Sequence, residues 1–108
     1  MSYQAERREI LMRRQRGIIL KLIRENHEFQ DHRYTGAEIW GMLLKIRQTV
    51  GSDQVTTMLQ DLQALDYIDF RSEMDEESGK TRISEIQLSA AGLRFYTRHK
   101  SNDDVLFD

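Results

Sequence analysis

Residues 34–68 restrict the possible folds more than any other part of the chain, because they carry two helical patterns and the start of a strand. Thr35 begins the first of these helices, since its hydroxyl can accept a backbone N–H while the Glu38 carboxylate returns the bond, which is a capping box. Large apolar residues then recur over a broad arc of this helix. They are Ile39, Trp40, Leu43 and Ile46.

The next helix is expected over about residues 53–66. It begins after Gly51, and either Ser52 or Asp53 suits its N-cap. Its apolar residues recur at helical spacing, which predicts one buried stripe and one free polar face. The stripe consists of Val55, Met58, Leu59, Leu62 and Leu65.

A β-hairpin is predicted over residues 68–88, after these two helices. Alternating apolar residues indicate two strands, and Ser78-Gly79 supplies the turn. Ile83 is out of phase with the apolar residues that follow it, which predicts an irregularity near Ser84. Ser89 then caps a last helix, expected from residue 90 to about residue 100.

The chain resembles the winged-helix superfamily in two motifs. LQALDYIDF is similar to the usual exit from the recognition helix into the wing, and LSAAG is similar to the return into a last helix. The resemblance covers roughly residues 5–100. It is nearest to ArsR/MarR-like regulators and the short winged-helix proteins of Mu-like prophages. It implies an α+β, mostly helical fold, a winged helix-turn-helix with a three-helix core, a two-stranded wing and a C-terminal helix.

The first helix is predicted from Gln4 to about Asn26. Gly17 interrupts it and costs about 1 kcal/mol relative to Ala, so it indicates either a close backbone approach, for example from a second subunit, or plain tolerance. The expected apolar side comprises Leu11, Met12, Ile18, Ile19, Leu22 and Ile23.

The sequence further predicts one winged-helix domain over residues 1–100 and a short acidic tail over residues 101–108. The tail is interpreted as a frayed terminus, with docking on its own or a neighbouring subunit as the alternative.

Composition narrows the function. With 108 residues and no cysteine, the chain holds neither disulfides nor a thiolate site, and we expect a cytoplasmic protein without a signal peptide. No apolar run reaches the roughly 18 residues that cross a bilayer. Motifs for phosphate loops, nucleophile elbows and zinc hydrolases are absent, so we expect neither an enzyme nor a cofactor. His27, Asp31 and His32 have the composition of a metal site, but their spacing matches no strong signature, and no metal is predicted.

The resemblance implies that double-stranded DNA binds the polar face of the helix over about residues 53–66, which is the third helix of the chain, and the wing. Glutamine can pair with adenine and threonine can contact base edges, which makes Gln54, Thr56, Thr57, Gln60 and Gln63 the candidate base readers. That face has no Lys or Arg, so phosphate contacts must come from its neighbours. The candidate phosphate ligands are Lys45, Arg47, Arg71, Lys80 and Arg82.

Charge leaves a second hypothesis open. Residues 1–33 hold eight Lys and Arg against five Asp and Glu, whereas the wing tip DEESGK is acidic and unfavourable for DNA. The protein is therefore interpreted either as a transcriptional regulator that dimerises through its first and last helices, or as a winged-helix module that binds another protein. In the second case the docking face is basic and consists of Arg13, Arg14, Lys21 and Arg24.

Overall fold

The computed structural model describes residues 3–29 and 33–107, and among them it contains four helices and one two-stranded antiparallel sheet. This is an α+β fold that is mostly helical, as predicted. The elements follow one another as α1 (Tyr3–Phe29), α2 (Gly36–Lys45), α3 (Ser52–Ala64), β1 (Ile68–Met74), β2 (Thr81–Leu88) and α4 (Ala90–Arg98).

Helix α1 is longer than predicted, and only its second half enters the core. Ile19, Leu20 and Ile23 are buried there. Leu11 was expected on the buried side but is 44% exposed, because residues 4–11 extend past the elements on which the rest of the helix packs. That part of the prediction was wrong. A helical wheel shows which side of α1 is apolar, but not where along the helix its packing partners end.

Helix α2 begins with the predicted capping box. The N–H of Glu38 donates to the Thr35 hydroxyl at 3.1 Å, and the N–H of Thr35 donates to the Glu38 carboxylate at 3.0 Å. Ile39 and Leu43 are buried, whereas Ile46 is 48% exposed. Ile46 was expected to continue the apolar arc. Because α2 ends at Lys45, Ile46 leaves the helix and its side chain leaves the stripe.

Helix α3 packs its predicted apolar stripe into the centre of the core, with Leu65 half-buried at its end. Its N-cap is Gly51, and the expected Ser52 or Asp53 is wrong. Gly51 has no side chain that could cap α3, but its own N–H donates to the Oε1 of Gln54 at 2.9 Å, which is the second bond of a capping box. The fully buried stripe residues are Val55, Met58, Leu59 and Leu62.

The hairpin contains the predicted irregularity. Its register shifts between the Asp69–Gln87 and Arg71–Ser84 pairs, because β2 has one more residue than β1 between them. Glu85 of β2 lies in this bulge and has a positive φ of 57°. A bulge moves the following residues to the other phase of the strand. It therefore lets Ile83 and Ile86, three residues apart, both reach the core.

Helix α4 starts at the predicted cap, and its first turn packs very closely against the backbone of residue 67. The Ser89 hydroxyl accepts the N–H of Gly92 at 2.9 Å, while the N–H of Ser89 donates to the carbonyl of Tyr67 at 3.0 Å. A Cβ at Gly92 would collide with that carbonyl oxygen. The glycine is thus required by the close approach of α4 to residue 67.

Residues 101–107 of the tail are ordered and pack on the core, so the interpretation of this segment as a frayed terminus was wrong. Val105 is fully buried, and the N–H of Leu106 donates to the carbonyl of Arg13 at 3.0 Å. A Cβ at Gly17 would lie 2.5 Å from the Leu106 carbonyl oxygen. Of the two explanations for Gly17, the structure shows the close backbone approach, and the approaching backbone is the chain's own C-terminal segment and not a second subunit.

We expect Val105→Ala to lower the free energy of unfolding by about 2 kcal/mol, because it removes two buried methyl groups and leaves a cavity. Asp103→Ala changes an exposed residue of the same segment and is the matched control. Urea unfolding followed by Trp40 fluorescence measures both. Equal stability of the two variants would contradict a docked tail.

Two helical glycines give a second stability prediction with opposite signs. Gly92→Ala should cost about 3 kcal/mol, since α4 and residue 67 must separate to admit a methyl group. Gly41→Ala should stabilise α2 by up to about 1 kcal/mol, because nothing lies within 4 Å of a Cβ at that position. Thermal unfolding by circular dichroism compares the two variants. A neutral Gly92→Ala would refute the close crossing.

Candidate nucleic-acid interface

An open groove of about 910 Å³ lies between the start of α2, the exposed flank of α3 and the hairpin. Four residues predicted to bind DNA line it: Thr56 and Gln60 on α3, and Lys80 and Arg82 on the hairpin. The fold therefore gathers candidate base readers and candidate phosphate ligands around one concavity. The other lining residues are Thr35, Gly36, Ala37, Trp40, Ser52, Asp53, Glu73, Asp75, Ser78, Gly79, Thr81, Ile83 and Ser84.

The polar side chains of α3 differ in whether they form hydrogen bonds to the backbone at the start of the helix. The hydroxyls of Thr56 and Thr57 donate to the carbonyls of Ser52 and Asp53, at 3.2 and 3.1 Å. This leaves their methyl groups and oxygen lone pairs for other contacts. The carbonyl oxygen of the Gln54 side chain accepts the N–H of Gly51, while Gln60 is exposed on the groove side.

The two hairpin cations lie among carboxylates. Arg82 pairs with Asp75 at 3.5 Å and is directly opposite Glu73 in the sheet. The N–H of Glu77 and the hydroxyl of Ser78 bind the Asp75 carboxylate and lower its pKa below the ordinary value. Asp75 therefore stays ionised at neutral pH, and it offsets part of the charge that Arg82 offers to the groove.

Two further candidate cations lie at the connection between α2 and α3. Lys45 and Arg47 are exposed there, and Arg47 has a positive φ of 65°. The N–H of Arg47 donates to the carbonyl of Leu44, and that of Gln48 donates to the carbonyl of Leu43, which is a Schellman motif. A second, shallower cavity of about 670 Å³ opens here, lined by Leu44, Arg47, Gln48, Thr49, Val50, Gly51 and Gln54.

The structure does not bring all predicted site residues together. Thr57 and Gln63 are exposed on α3, and Lys45 and Arg71 are exposed on α2 and β1, but none of these four lines the groove. Arg47 and Gln54 line the second cavity instead. Four of the ten candidate DNA-binding residues thus form a groove cluster, and the other six do not line the groove.

The alternative basic face on α1 is partly engaged within the chain. The Arg13 guanidinium donates to the Asn102 carbonyl of the C-terminal segment. Lys21 is exposed and lies 4.0 Å from Glu25 on the same helix. Of the other two members, Arg14 is exposed and Arg24 half-buried. Only part of this face therefore remains available to a docking protein.

Arg16 is the charged residue that sequence reasoning missed. Its guanidinium binds Asp61 of α3 at 2.9 Å and the Asp104 carbonyl at 3.1 Å, so it joins α1, α3 and the C-terminal segment. The signal was present in its spacing. Arg16 precedes Leu20 by four residues and Ile19 by three, so it lies in line with the buried stripe of α1. A cation there requires a partner.

Within residues 3–29 and 33–107 no group of three or more His, Cys, Asp or Glu is arranged to hold a metal ion. Asp31 and His32 lie outside the described residues, and the side chain of His27 is likewise not described. None of the helices in the described part of the chain is both long and apolar enough to cross a membrane.

Neither a comparison with models of known protein families nor a comparison with curated proteins finds a match for this chain.

Proposed function

We propose that the protein is a small winged-helix transcriptional regulator that binds double-stranded DNA through α3 and the hairpin. One observation carries this proposal: Thr56 and Gln60 of α3 line the same groove as Lys80 and Arg82 of the hairpin. Base-reading side chains and phosphate-binding side chains must lie side by side for one protein surface to read a sequence. The order of the elements and the bridge between Tyr34 and Ile86 beside the hairpin also suit a winged helix.

Base recognition is assigned to Gln60 and Thr56. The Gln60 amide both donates and accepts, which matches N6 and N7 of adenine in the major groove. The Thr56 hydroxyl gives its hydrogen to the carbonyl of Ser52, so it offers a lone pair to a base amino group and a methyl group to thymine. The burial of the opposite side of α3 holds both side chains outward.

Backbone recognition is assigned to cations on both sides of α3. Lys80 and Arg82 lie in the groove on one side, while Lys45 and Arg47 are exposed at the start of α3 on the other. Helix α2 also begins at the groove, and its first two residues, Gly36 and Ala37, are part of the lining. Backbone N–H groups in a first helical turn are suitable donors to a phosphate.

The carboxylates of the groove set a limit on affinity. Asp53 and Glu73 line it together with Asp75, so acidic side chains outnumber Lys80 and Arg82. Each carboxylate repels a phosphate and weakens long-range attraction to DNA. The proposed regulator therefore depends on base contacts more than on charge.

We propose a homodimer that forms through α1 and α4. Ile10 and Leu11 of α1 and Leu93 of α4 are exposed aliphatic residues on these two helices, and a second copy could cover them. A two-fold dimer presents two α3 helices and therefore reads a pseudo-palindrome with half-sites about one helical turn apart.

The second candidate function is a winged-helix module that docks a protein on the basic face of α1, and the acidic tip residues Glu76 and Glu77 favour it.

The proposal predicts sequence-selective DNA binding that depends on α3. Selection from random duplex DNA should enrich a pseudo-palindrome. Replacing Thr56 and Gln60 by Ala should remove the preference at the bases they contact, by about 1–3 kcal/mol for each contact. Affinity for unrelated DNA should stay within about twofold, because phosphate contacts are retained.

Matched controls exist on α4 and α1. Thr97 makes the same type of hydroxyl bond to its own helix as Thr56, and Gln4 is exposed like Gln60, so Thr97→Ala with Gln4→Ala should leave the selected site unchanged. A folded Thr56/Gln60 double variant that still selects the wild-type site would contradict the assignment. The absence of any DNA binding at low salt would favour the protein-docking function.

Charge substitutions in the groove should change binding to all DNA sequences alike. Replacing Lys80 and Arg82 by Ala should weaken binding and reduce the slope of log affinity against log salt by about 2. Replacing Asp53 by Asn and Glu73 by Gln should raise affinity at low salt, since two repulsive charges are removed. Fluorescence anisotropy between 50 and about 200 mM salt measures these changes. If the alanine variant bound DNA more tightly and the Asn/Gln variant bound it more weakly, the DNA would lie elsewhere on the protein.

A further inference from the structure

We propose that the second cavity, together with Leu44 and Ile46 beside it, is a docking site for an acidic segment of another protein that also carries apolar side chains. We call this surface the turn patch; it comprises residues 44–51 and Gln54. It is distinct from the groove, because no described residue lines both cavities, but it shares Lys45, Arg47 and Gln54 with the candidate DNA-binding residues, so a peptide bound here would compete with DNA for these three side chains. At 100° per residue, Gln54 is about 160° around the α3 axis from Thr56.

The turn patch exposes two aliphatic side chains within three residues of each other. Leu44 is 47% exposed and Ile46 is 48% exposed. The end of α2 causes the exposure of Ile46, since the Schellman motif turns the chain before Ile46 can join the stripe of Ile39 and Leu43. An apolar rim around a shallow cavity is suited to apolar side chains of a partner.

Charge selects the kind of partner. Lys45 and Arg47 alternate with the two aliphatic residues along the chain and are exposed. Among the described residues that line the cavity none is acidic, and residues 39–52 contain neither Asp nor Glu. A surface that combines exposed aliphatics with uncompensated cations is complementary to a segment that combines apolar and acidic side chains. Phosphates would satisfy the cations but leave Leu44 and Ile46 without a use.

The backbone at Arg47 supports a functional role for this side chain. Its positive φ suits glycine, and a residue with a side chain costs about 1 kcal/mol or more there. Glycine at this position would end α2 with less strain. Asp66, Glu85 and His99 also have a positive φ, but of these four residues Arg47 alone lines the second cavity, so its strain coincides with a site where a partner would use the side chain.

The test uses random peptides displayed on phage and selected against the full chain. We expect enriched peptides to contain both acidic and apolar residues. Their affinity should fall about tenfold or more for Leu44→Ser with Ile46→Ser, because two apolar contacts are lost. The same variant should bind DNA as the wild type does. Met74→Ser removes an exposed apolar side chain from the hairpin and is the matched control, which should bind the peptides normally.

Amide chemical shifts of the wild-type protein give a second measurement that needs no variant. Addition of an enriched peptide should shift residues 44–51 and Gln54, and replacing its Asp and Glu by Asn and Gln should abolish the shifts. The proposal is overturned if no peptide is enriched, if the shifts lie on α1 or in the groove, or if the acidic residues have no effect. It is also overturned if Leu44→Ser with Ile46→Ser weakens DNA binding, since the patch then belongs to the DNA surface.

Discussion

The burial of one side of α3 is the interaction on which the other parts of the structure depend. Val55, Met58, Leu59 and Leu62 are inaccessible to solvent, and α3 contacts α1, α2 and β1 through them. Because a helix has only two broad sides, this burial forces the Thr and Gln residues outward. It also places the two ends of α3 beside the hairpin and the connection from α2, so both the groove and the turn patch border this helix.

The C-terminal segment gives the core a second anchor. Val105 enters the core, Arg16 bonds the Asp104 carbonyl, and Phe107 stacks on His99 at 4.7 Å between ring centroids. Gly17 admits the backbone of this segment to α1. A helix that carries a glycine in its middle is intrinsically weaker, and here the weakness is offset by close packing. The seven residues 101–107 therefore act as part of the domain despite their acidic composition.

Electrostatics divides the surface around α3 into two unlike parts. The groove on the hairpin side mixes cations with carboxylates, and the pair of Arg82 with Asp75 partly neutralises it. The turn patch on the other side combines cations and aliphatic residues with neutral polar ones and contains no carboxylate. Net charge gave no sign of this division, since the whole chain carries −2. Local composition decides which ligand a surface suits, because charges separated by more than about 10 Å are screened at physiological salt.

The sequence by itself determined the elements and many of their ends. Capping at Thr35 and Ser89, the turn at Gly79 and the phase break near Ser84 all depend on neighbours within a few residues, and each was predicted. Only the tertiary structure decided the exposure of Leu11, the pairing of Arg16 with Asp61 and the docking of Val105. These features join residues far apart in the chain, and periodicity carries no information on which distant surfaces meet. The candidate site divides in the same way. The polar face of α3 follows from its spacing, whereas its grouping with Lys80 and Arg82 depends on how the hairpin folds back beside the helix.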